Sequence, residues 1–321
     1  MPAPSSTTFQ RPDLGQSFEE FDLLASMQGF VGFRVLPLFP VARQTANFSK
    51  VPVEALLQER RTNRASGSGY NRQDYEFEQD NYACQEHGAE EVIDDRERAI
   101  YAYTIDFERI AAMRALDAVL RNTERRIAAE AFSTTNFTGP LTAAVGTEWS
   151  KGATATPIDD VKDAITAFKA NCGMLPNAII FNDEVMRNLT LSDQIIDRVK
   201  YSGLDDPKKI TSSMLAALFD LQQVIVPNAM RNSALQGQAV AFADIWDDEY
   251  ALLLRVCTTN DLREPCLGRT FHFTGDGSSE GGTVEMYRDE SRRSDIIRAR
   301  LDLDEKVIYT AMGYLMSNIT E

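Results

Sequence analysis

The longest regular pattern of apolar positions in the chain runs from residue 105 to residue 132. Its apolar residues recur at spacings of three, four or seven, which places them on one face of a helix. They are Ile110, Met113, Leu116, Leu120, Ile127 and Ala131. The charged residues expected to lie largely on the other face are Glu108, Arg109, Arg121, Glu124, Arg125 and Glu130. Because no Gly or Pro interrupts the pattern and alanine is frequent, it predicts one helix of roughly 40 Å that braces other elements.

A long polar segment precedes this helix, from residue 48 to residue 95. A turn rich in Gly and Ser, residues 65–69, separates a flank that carries arginines from a flank of aromatic and acidic residues. This arrangement predicts an extended β-hairpin with a flexible tip. Because the segment has few apolar residues to bury, we expect it to lie on another subunit. A disordered surface loop is the alternative.

Helix starts and short apolar strands alternate between residues 158 and 282. The expected helix starts are Thr156-Pro157, Asn182-Asp183, Ser192 and Thr211-Ser212. The expected strands are 178–181, 223–226, 239–243, 250–256 and 269–273. This alternation predicts a compact mixed α/β unit.

The last part of the chain has the alternation of a sheet. Strands are expected at 283–288, 294–303 and 306–312, with a turn at 290–293. In the second of these strands the apolar residues share one face and the charged residues share the other. The apolar face contains Ile297, Ala299, Leu301 and Leu303, and the charged face contains Arg298, Arg300 and Asp302.

The N-terminal part has little apolar patterning. Residues 1–27 are polar and contain Pro and Ser, which predicts an arm outside the folded core, with a short helix allowed at 18–27. Residues 30–39 have a strand-like composition. Pro37 and Pro40 restrict that strand to an edge or an extended segment.

Composition narrows the class of protein. The chain has 321 residues, 43% hydrophobic and 25% charged, with a formal net charge of −15, which is typical of a soluble globular protein of two or three domains. The negative charge repels phosphate, so dedicated nucleic-acid binding is not expected. The sequence has neither a long apolar run nor a signal peptide, so no membrane partner is expected. Four widely spaced cysteines indicate synthesis in a reducing compartment.

Candidate chemistry is sparse. The two histidines, His87 and His272, are not near a nucleophile motif, and Cys84 with His87 supplies too few ligands for zinc. The glycines at 275–282 follow neither Walker nor Rossmann spacing. We therefore expect no catalytic, cofactor-binding or metal site. Cys257 and Cys266 bracket residues 258–265, and a disulfide between them or across subunits is left open.

Two segments carry a family resemblance, GYNRQDYEFEQDNYACQEHGAEEVIDDRERA (69–99) and ESRRSDIIRARLDLDEKVIYTAMGYL (290–315). With the order of elements over most of 30–316, they make the chain similar to the major capsid proteins of tailed bacteriophages with the HK97-type fold. The resemblance implies an α+β fold with an N-arm, an extended E-loop hairpin, a P-domain with a spine helix and antiparallel strands, and a mixed α/β A-domain. The implied boundaries are 1–47 for the N-arm, 48–95 for the E-loop, 96–157 and 283–304 for the P-domain, and 158–282 and 305–321 for the A-domain.

The same resemblance implies a structural function and no enzymatic activity. Such subunits self-assemble into hexamers and pentamers of an icosahedral shell, which encloses double-stranded DNA without sequence-specific binding. The implied location is the virion capsid, after synthesis in the host bacterial cytoplasm, with portal and possible decoration proteins as partners. The inter-subunit contacts implied are Arg60, Arg61, Arg64, Tyr70, Arg72, Tyr75, Glu90, Glu91, Arg292 and Arg293.

Two departures from the family and two alternatives complete the expectation. Some relatives carry a fused scaffolding segment ahead of the arm; the short N-terminal part here implies a separate scaffolding protein. Others form a lysine–asparagine crosslink from the E-loop. Lys50 is the only lysine in 48–95, so that crosslink is not expected. The alternatives are another phage structural protein, of the decoration or tail class, and an enzyme with an unrecognised site.

Overall fold

The computed structural model describes residues 9–10, 29–72, 77–101, 107–201, 210–235, 237–275, 277 and 281–320, and every structural statement below concerns these residues. The arm expected over 1–27, with its short helix, lies almost entirely outside them. No helix in the described ranges combines the length and apolar character that crossing a membrane requires.

The α-helices include the long helix expected from the sequence. In chain order they are α1 (Gly32–Val35), α2 (Val53–Leu57), α3 (Asp95–Tyr101), α4 (Phe107–Ala131), α5 (Pro157–Cys172), α6 (Asp183–Leu191), α7 (Asp193–Tyr201) and α8 (Ser212–Leu218). The helix predicted over 105–132 is confirmed as α4. The start of α5 at Pro157 is confirmed too, and Gly173 ends that helix with a φ of 69°.

The strands form two large sheets and two hairpins. In chain order they are β1 (Phe9–Gln10), β2 (Leu38–Val41), β3 (Thr45–Lys50), β4 (Glu78–Ala83), β5 (Gln85–Asp94), β6 (Thr142–Ala144), β7 (Ala178–Phe181), β8 (Gln223–Ile225), β9 (Met230–Asn232), β10 (Phe242–Asp244), β11 (Ala251–Leu254), β12 (Gly268–Phe273), β13 (Thr283–Asp289), β14 (Ser294–Val307) and β15 (Gly313–Ser317). The hairpins are β3–β4 and β9–β10.

The first sheet is built around the long strand β14. One edge of β14 pairs with β13 in its first half and with β12 in its second half, while β5 pairs antiparallel along the other edge. The sheet is extended by β1 beside β13 and by β2 beside β12. The expected apolar face of β14 is confirmed, because Ile297, Ala299, Leu301 and Leu303 are buried with the N-terminal half of α4.

The second sheet has the order β6-β15-β11-β7-β8. Its strands β7 and β11 are buried on both faces. Helices α5 to α8 cover one face, where Ile179, Phe181 and Leu253 pack. The C-terminal end of α4 covers the other face, where Ile127 packs with Ile180. The helix α4 therefore packs against both sheets, as a brace does.

Several expectations about single elements were wrong. Residues 30–39 begin with helix α1, and only Leu38–Val41 is a strand, because Val31 and Gly32 donate their backbone N–H groups to the distant side chain of Glu124. The final strand is β15 rather than 306–312. A 3₁₀ turn at Thr310–Met312 separates it from β14, since Ile308 and Tyr309 both donate to the Leu267 carbonyl.

Other corrections concern faces and sheet membership. Strand β12, expected in the compact α/β unit, pairs with β14 in the first sheet, so the strands of 158–282 do not share one sheet. On α4, Ile110 is exposed because the small residues Ala111, Ala112 and Ala115 occupy the contact with the sheet. Glu124, expected on the charged face, is buried.

Candidate assembly surface

The root of the polar hairpin is fixed to the first sheet. Strands β3 and β4 pair antiparallel over their whole length. The ring of Tyr82 stacks on Phe271, with centroids 4.6 Å apart, and Phe48 packs on the same ring at 5.6 Å. The backbone N–H of Ala83 donates to the Asp304 carboxylate at 2.8 Å, and Lys306 forms a salt bridge with Asp80. Aromatic packing and ion pairs therefore hold the base of the hairpin.

Beyond this root, the chain leaves the body of the molecule. After the single turn of α2, the described residues up to 72 are exposed except Arg60, which is half-buried. The predicted turn at 65–69 is present: Ser68 N–H donates to the Ala65 carbonyl at 3.1 Å, and Gly67 has a φ of 81°. We call residues 58–72 the excursion. It is largely exposed and contains a defined turn at its tip.

The expected contact residues of this excursion make short-range contacts within it. The guanidinium of Arg64 lies 4.5 Å from the centroid of the Tyr70 ring, and Asn71 donates to the Arg61 carbonyl at 2.9 Å. Arg72 is exposed, and Tyr75 lies outside the described residues. The surface thus presents arginines beside an exposed tyrosine ring.

The expected contact residues outside the hairpin have partners in the same subunit. Glu90 pairs with Arg298 at 2.6 Å, and Glu91 pairs with Arg114 at 3.3 Å. Arg292 pairs loosely with Asp289 at 3.7 Å in the predicted turn at 290–293. The backbone of Arg293 in that turn has a φ of 52°. Part of the charge of Glu90, Glu91 and Arg292 is therefore neutralised within the subunit itself.

A ladder of ion pairs joins strands and helices of the first sheet. Its members cross the sheet in neighbouring positions, and the carboxylates of Asp295 and Glu285 each lie near two guanidinium groups. The pairs are Arg98–Asp295 at 2.7 Å, Arg288–Asp95 at 2.5 Å, Arg288–Asp295 at 3.1 Å, Arg298–Glu90 at 2.6 Å and Arg300–Glu285 at 3.0 Å. The hydrogen bond from Arg288 holds the pKa of Asp95 below its usual value. The ladder ties α3, β5, β13 and β14 together.

The second hairpin, β9–β10, presents an exposed apolar face. Its register places Met230 and Phe242 on the same side, and Val240 precedes Phe242 by two residues. Phe242 is 72% exposed and Leu235, near the tip, is 80% exposed. An isolated two-stranded hairpin is only marginally stable in water. Such a surface is suited to be covered by another protein chain.

A buried carboxylate joins three parts of the fold. The side chain of Glu124 accepts hydrogen bonds from Val31 N–H at 2.9 Å, Gly32 N–H at 2.7 Å and Trp246 Nε1 at 2.7 Å. Burial raises the pKa of this carboxyl, while the three hydrogen bonds oppose the shift. The sequence held a signal for this site, because Glu124 follows Leu120 by four residues and precedes Ile127 by three, and so lies on the apolar face of α4.

The remaining candidate groups are the histidines and the cysteines. His272 is buried in β12, and burial with the nearby charge of Arg126 lowers the pKa of His87. The thiol of Cys84 is buried and donates to the Phe271 carbonyl. Within the described part of the chain, no three His, Cys, Asp or Glu side chains are grouped so as to hold a metal ion. Cys257 and Cys266 are free thiols in this structure, and the disulfide left open by the sequence, within the chain or across subunits, stays a prediction.

Comparison with known proteins shows which proteins this chain is similar to in sequence and in fold. No protein-family model matches the chain. The major capsid protein of Burkholderia phage BcepMu is 25% identical over 303 residues, which cover 90% of this chain and 91% of that protein. A phage-related protein of Bordetella bronchiseptica has a TM-score of 0.71 at 20% identity, covering 98% of this chain and 99% of its own.

Two further solved structures are capsid-like particles. The virus-like particle of Pyrococcus furiosus has a TM-score of 0.57 at 11% identity, covering 94% of this chain and 98% of its own. The mature capsid of bacteriophage PhiM1 has a TM-score of 0.55 at 12% identity, covering 89% and 86%. The resemblance expected from the sequence is confirmed: the chain is similar over nine-tenths of its length to a phage major capsid protein and has the HK97-type capsid fold.

Proposed function

We propose that this protein is the major capsid subunit of a tailed bacteriophage. It assembles into hexamers and pentamers that close an icosahedral shell around double-stranded DNA. The observation that carries the proposal is the polar hairpin, which is anchored at its root and exposed along its excursion. A chain with this fold gains little by extending such a segment into water.

The energetics of the hairpin support a neighbour as its partner. Fixing the backbone of one residue costs about 1–2 kcal/mol, and the excursion buries few side chains of its own to offset that cost. Its arginines Arg60, Arg61 and Arg64 belong to a chain of net charge −15, so identical neighbours present abundant carboxylates. Arginine binds carboxylates through two parallel hydrogen bonds, which gives such contacts direction as well as attraction.

The hairpin β9–β10 supports a second contact between subunits. Its exposed residues Met230, Leu235, Val240 and Phe242 are apolar, and a second copy of the chain is the partner that is always present at high local concentration in a shell. Each contact between subunits should bury more than about 1,000 Å² in total. The division into N-arm, E-loop, P-domain and A-domain at the boundaries given above is part of the same proposal.

Other partners follow from a shell function. A separate scaffolding protein guides assembly, a portal occupies one vertex, and decoration proteins are optional additions. The acidic subunit contacts the enclosed DNA without reading its sequence, because like charge opposes phosphate binding. The protein is made in the host bacterial cytoplasm and resides in the virion capsid. No enzymatic activity is proposed; the named relatives are capsid proteins.

Particle morphology tests the proposal directly. The full-length chain is expressed with and without the phage's scaffolding protein, and the products are measured by mass photometry and negative-stain electron microscopy. We expect closed shells with rings of six and five subunits. Monomers or dimers under every condition would contradict a shell function, and tubes or fibres of a tail-like form would favour the other structural class.

A further inference from the structure

Two buried thiols lie at the neck of the loop 258–265. Cys257 is 8% exposed and Cys266 is 1% exposed. Both Sγ atoms point to the carbonyl oxygen of Gly268, at 4.0 Å and 3.6 Å, so the two sulfur atoms lie next to the same carbonyl group. The backbone N–H of Leu267 donates to the Arg255 carbonyl at 2.9 Å. That bond holds the chain segments on either side of the loop next to each other.

The loop itself is fixed without any covalent link. Glu264 accepts hydrogen bonds from the backbone N–H groups and the hydroxyls of Thr258 and Thr259. Although burial opposes the shift, these bonds lower the pKa of Glu264 to about 2. The buried guanidinium of Arg269 donates to the carbonyls of Thr259 and Asp261. The two thiols are therefore held close together by contacts that do not depend on a disulfide.

We propose that Cys257 and Cys266 are an oxidisable pair, which stays reduced in the cytosol and forms an intrachain disulfide when a low-molecular-weight disulfide such as oxidised glutathione is present. The Cys257 thiolate attacks one sulfur of the oxidant, and a mixed disulfide forms as one small thiolate leaves. The Cys266 thiolate then attacks the Cys257 sulfur and expels the second small thiolate. Two protein thiols are oxidised by two electrons, and one small disulfide is reduced to two small thiols.

Cys257 is the more exposed of the two thiols, 8% against 1% for Cys266, so Cys257 is the thiol that the oxidant reaches first. The thiolate is the nucleophile in such exchange. The hydrogen bond from Cys266 and the positive charge of Arg269 lower the pKa of Cys257. The neighbouring Cys257 thiol, burial and the charge on Cys257 raise the pKa of Cys266. When Cys257 has become a neutral mixed disulfide, that charge is gone and Cys266 ionises more readily.

The disulfide would fix one wall of a surface groove. Leu262, Arg263 and Pro265 of the loop face Phe48 and Phe77 of the first hairpin across a groove of about 570 Å³. A disulfide at the neck would hold this wall in place when the hydrogen bonds of the loop open, and would therefore reinforce the support beneath the hairpin root. The covalent step does not depend on the proposed shell function; only its consequence for particles does.

Peptide mapping of free subunits tests the covalent step. The protein is treated with oxidised glutathione, denatured, alkylated with N-ethylmaleimide and analysed by mass spectrometry. We expect a linked Cys257–Cys266 species lacking two hydrogens, with Cys84 and Cys172 fully alkylated. Four alkylated cysteines after oxidation, or a disulfide that involves Cys84 or Cys172, would overturn the proposal.

One double variant and two single variants test which cysteines pair and which of them reacts first. Cys84→Ser with Cys172→Ser should still form the disulfide at the wild-type rate. Cys266→Ser should accumulate a glutathione adduct on Cys257, while Cys257→Ser should accumulate much less on Cys266. Equal adducts in the two single variants would contradict the proposed order. Circular dichroism checks that each variant is folded. The peptide map of the wild-type protein tests the disulfide even if a variant does not fold.

The effect on particles is a separate measurement. Oxidised and reduced shells are heated, and the temperature of subunit release is compared. A higher release temperature after oxidation, absent in Cys257→Ser shells, is expected. Failure to form shells would refute the proposed function and leave the disulfide result intact.

Discussion

At the scale of single residues, Glu124 decides how the segment at 30–36 meets the rest of the molecule. Removing a carboxylate from water is costly unless it is fully hydrogen-bonded. Here the donors come from the first turn of α1 and from Trp246, so one side chain joins α1, α4 and the segment after β10. A side chain at residue 32 would not fit, because a Cβ atom there would lie 2.6 Å from Glu124 Oε2. Gly32 is therefore required by this close approach.

The first prediction concerns the charge of this site. Glu124→Gln places an amide NH₂ against backbone or indole donors, so at least one buried donor loses its acceptor. We expect the free energy of unfolding to fall by about 1–3 kcal/mol, measured by urea denaturation of free subunits. Glu97→Gln, at an exposed position of α3, is the matched control and should change stability by less than about 0.5 kcal/mol. Equal effects in both variants would contradict the role given to Glu124.

The second prediction concerns pH. The pKa of Glu124 is raised above its usual 4.5, so between 4.5 and the folded-state pKa the folded protein binds more protons at this group than the unfolded chain does. Its contribution to stability is therefore fully present below 4.5 and is lost as pH rises through the folded-state pKa. The stability difference between wild type and Glu124→Gln should grow as pH is lowered from 7 towards 5. Urea denaturation across this range measures it, and a constant or shrinking difference would contradict the expectation.

At the scale of elements, some helices and strands follow from local sequence patterns and others depend on contacts with distant residues. The helix α4 was predictable because its apolar period is uninterrupted, and the two faces of β14 were predictable because alternation decides which side is buried. Helix α1 was not, because it depends on a carboxylate more than ninety positions away in the chain. Strand β9 has three exposed residues with no pattern, so its pairing with β10 left no signal in the sequence.

The candidate assembly surface was also predictable only in part. Composition alone indicated the polar excursion and its tip. The ion pairs of the first sheet depend on register, which places Arg298 opposite Glu90, and the sequence does not state register. Residues expected to contact other subunits therefore have intrachain partners as well.

The third prediction tests the apolar face of hairpin β9–β10. Val240→Ser with Phe242→Ser should leave the free subunit folded, since both side chains are already exposed. Covering one large apolar side chain contributes about 1.5–3 kcal/mol, so losing two at each contact should abolish shell formation. Sucrose-gradient yield of particles measures the effect. Leu175→Ser with Leu191→Ser removes equally exposed apolar residues elsewhere and should leave the yield unchanged; a loss of yield in both doubles would make the effect non-specific.

At the scale of the whole molecule, the two sheets and α4 form a body from which the polar hairpin extends. The body is well packed, because both faces of the second sheet and the helix-facing side of the first are covered. Among the described residues, the excursion and the apolar side chains of hairpin β9–β10 are exposed. A subunit of this kind can be stable alone and still, under the proposed function, present surfaces that neighbouring subunits cover.

The fourth prediction concerns the charge of the excursion. Arg60→Glu with Arg61→Glu should leave the subunit folded, because these residues lie beyond the anchored root of β3 and β4. One exposed ion pair contributes only about 0–1 kcal/mol, but a shell repeats each contact in every subunit, so small losses accumulate. We expect shell formation to fail. If weak shells form, they should dissociate when salt is raised to 1 M, where the screening length falls to about 3 Å.

The control for the arginine variant distinguishes the loss of specific ion pairs from the change in net charge. Lys162→Glu with Lys200→Glu changes the net charge by the same amount at exposed positions on α5 and α7. That double variant should assemble if the proposed shell forms, because it alters a net charge of −15 by only a modest fraction and touches no proposed contact. Circular dichroism, thermal melting and particle yield are compared for both doubles and wild type. If the arginine double melted well below wild type, the arginines would be supporting their own subunit, and if it assembled normally at low and high salt, they would not be assembly contacts at all.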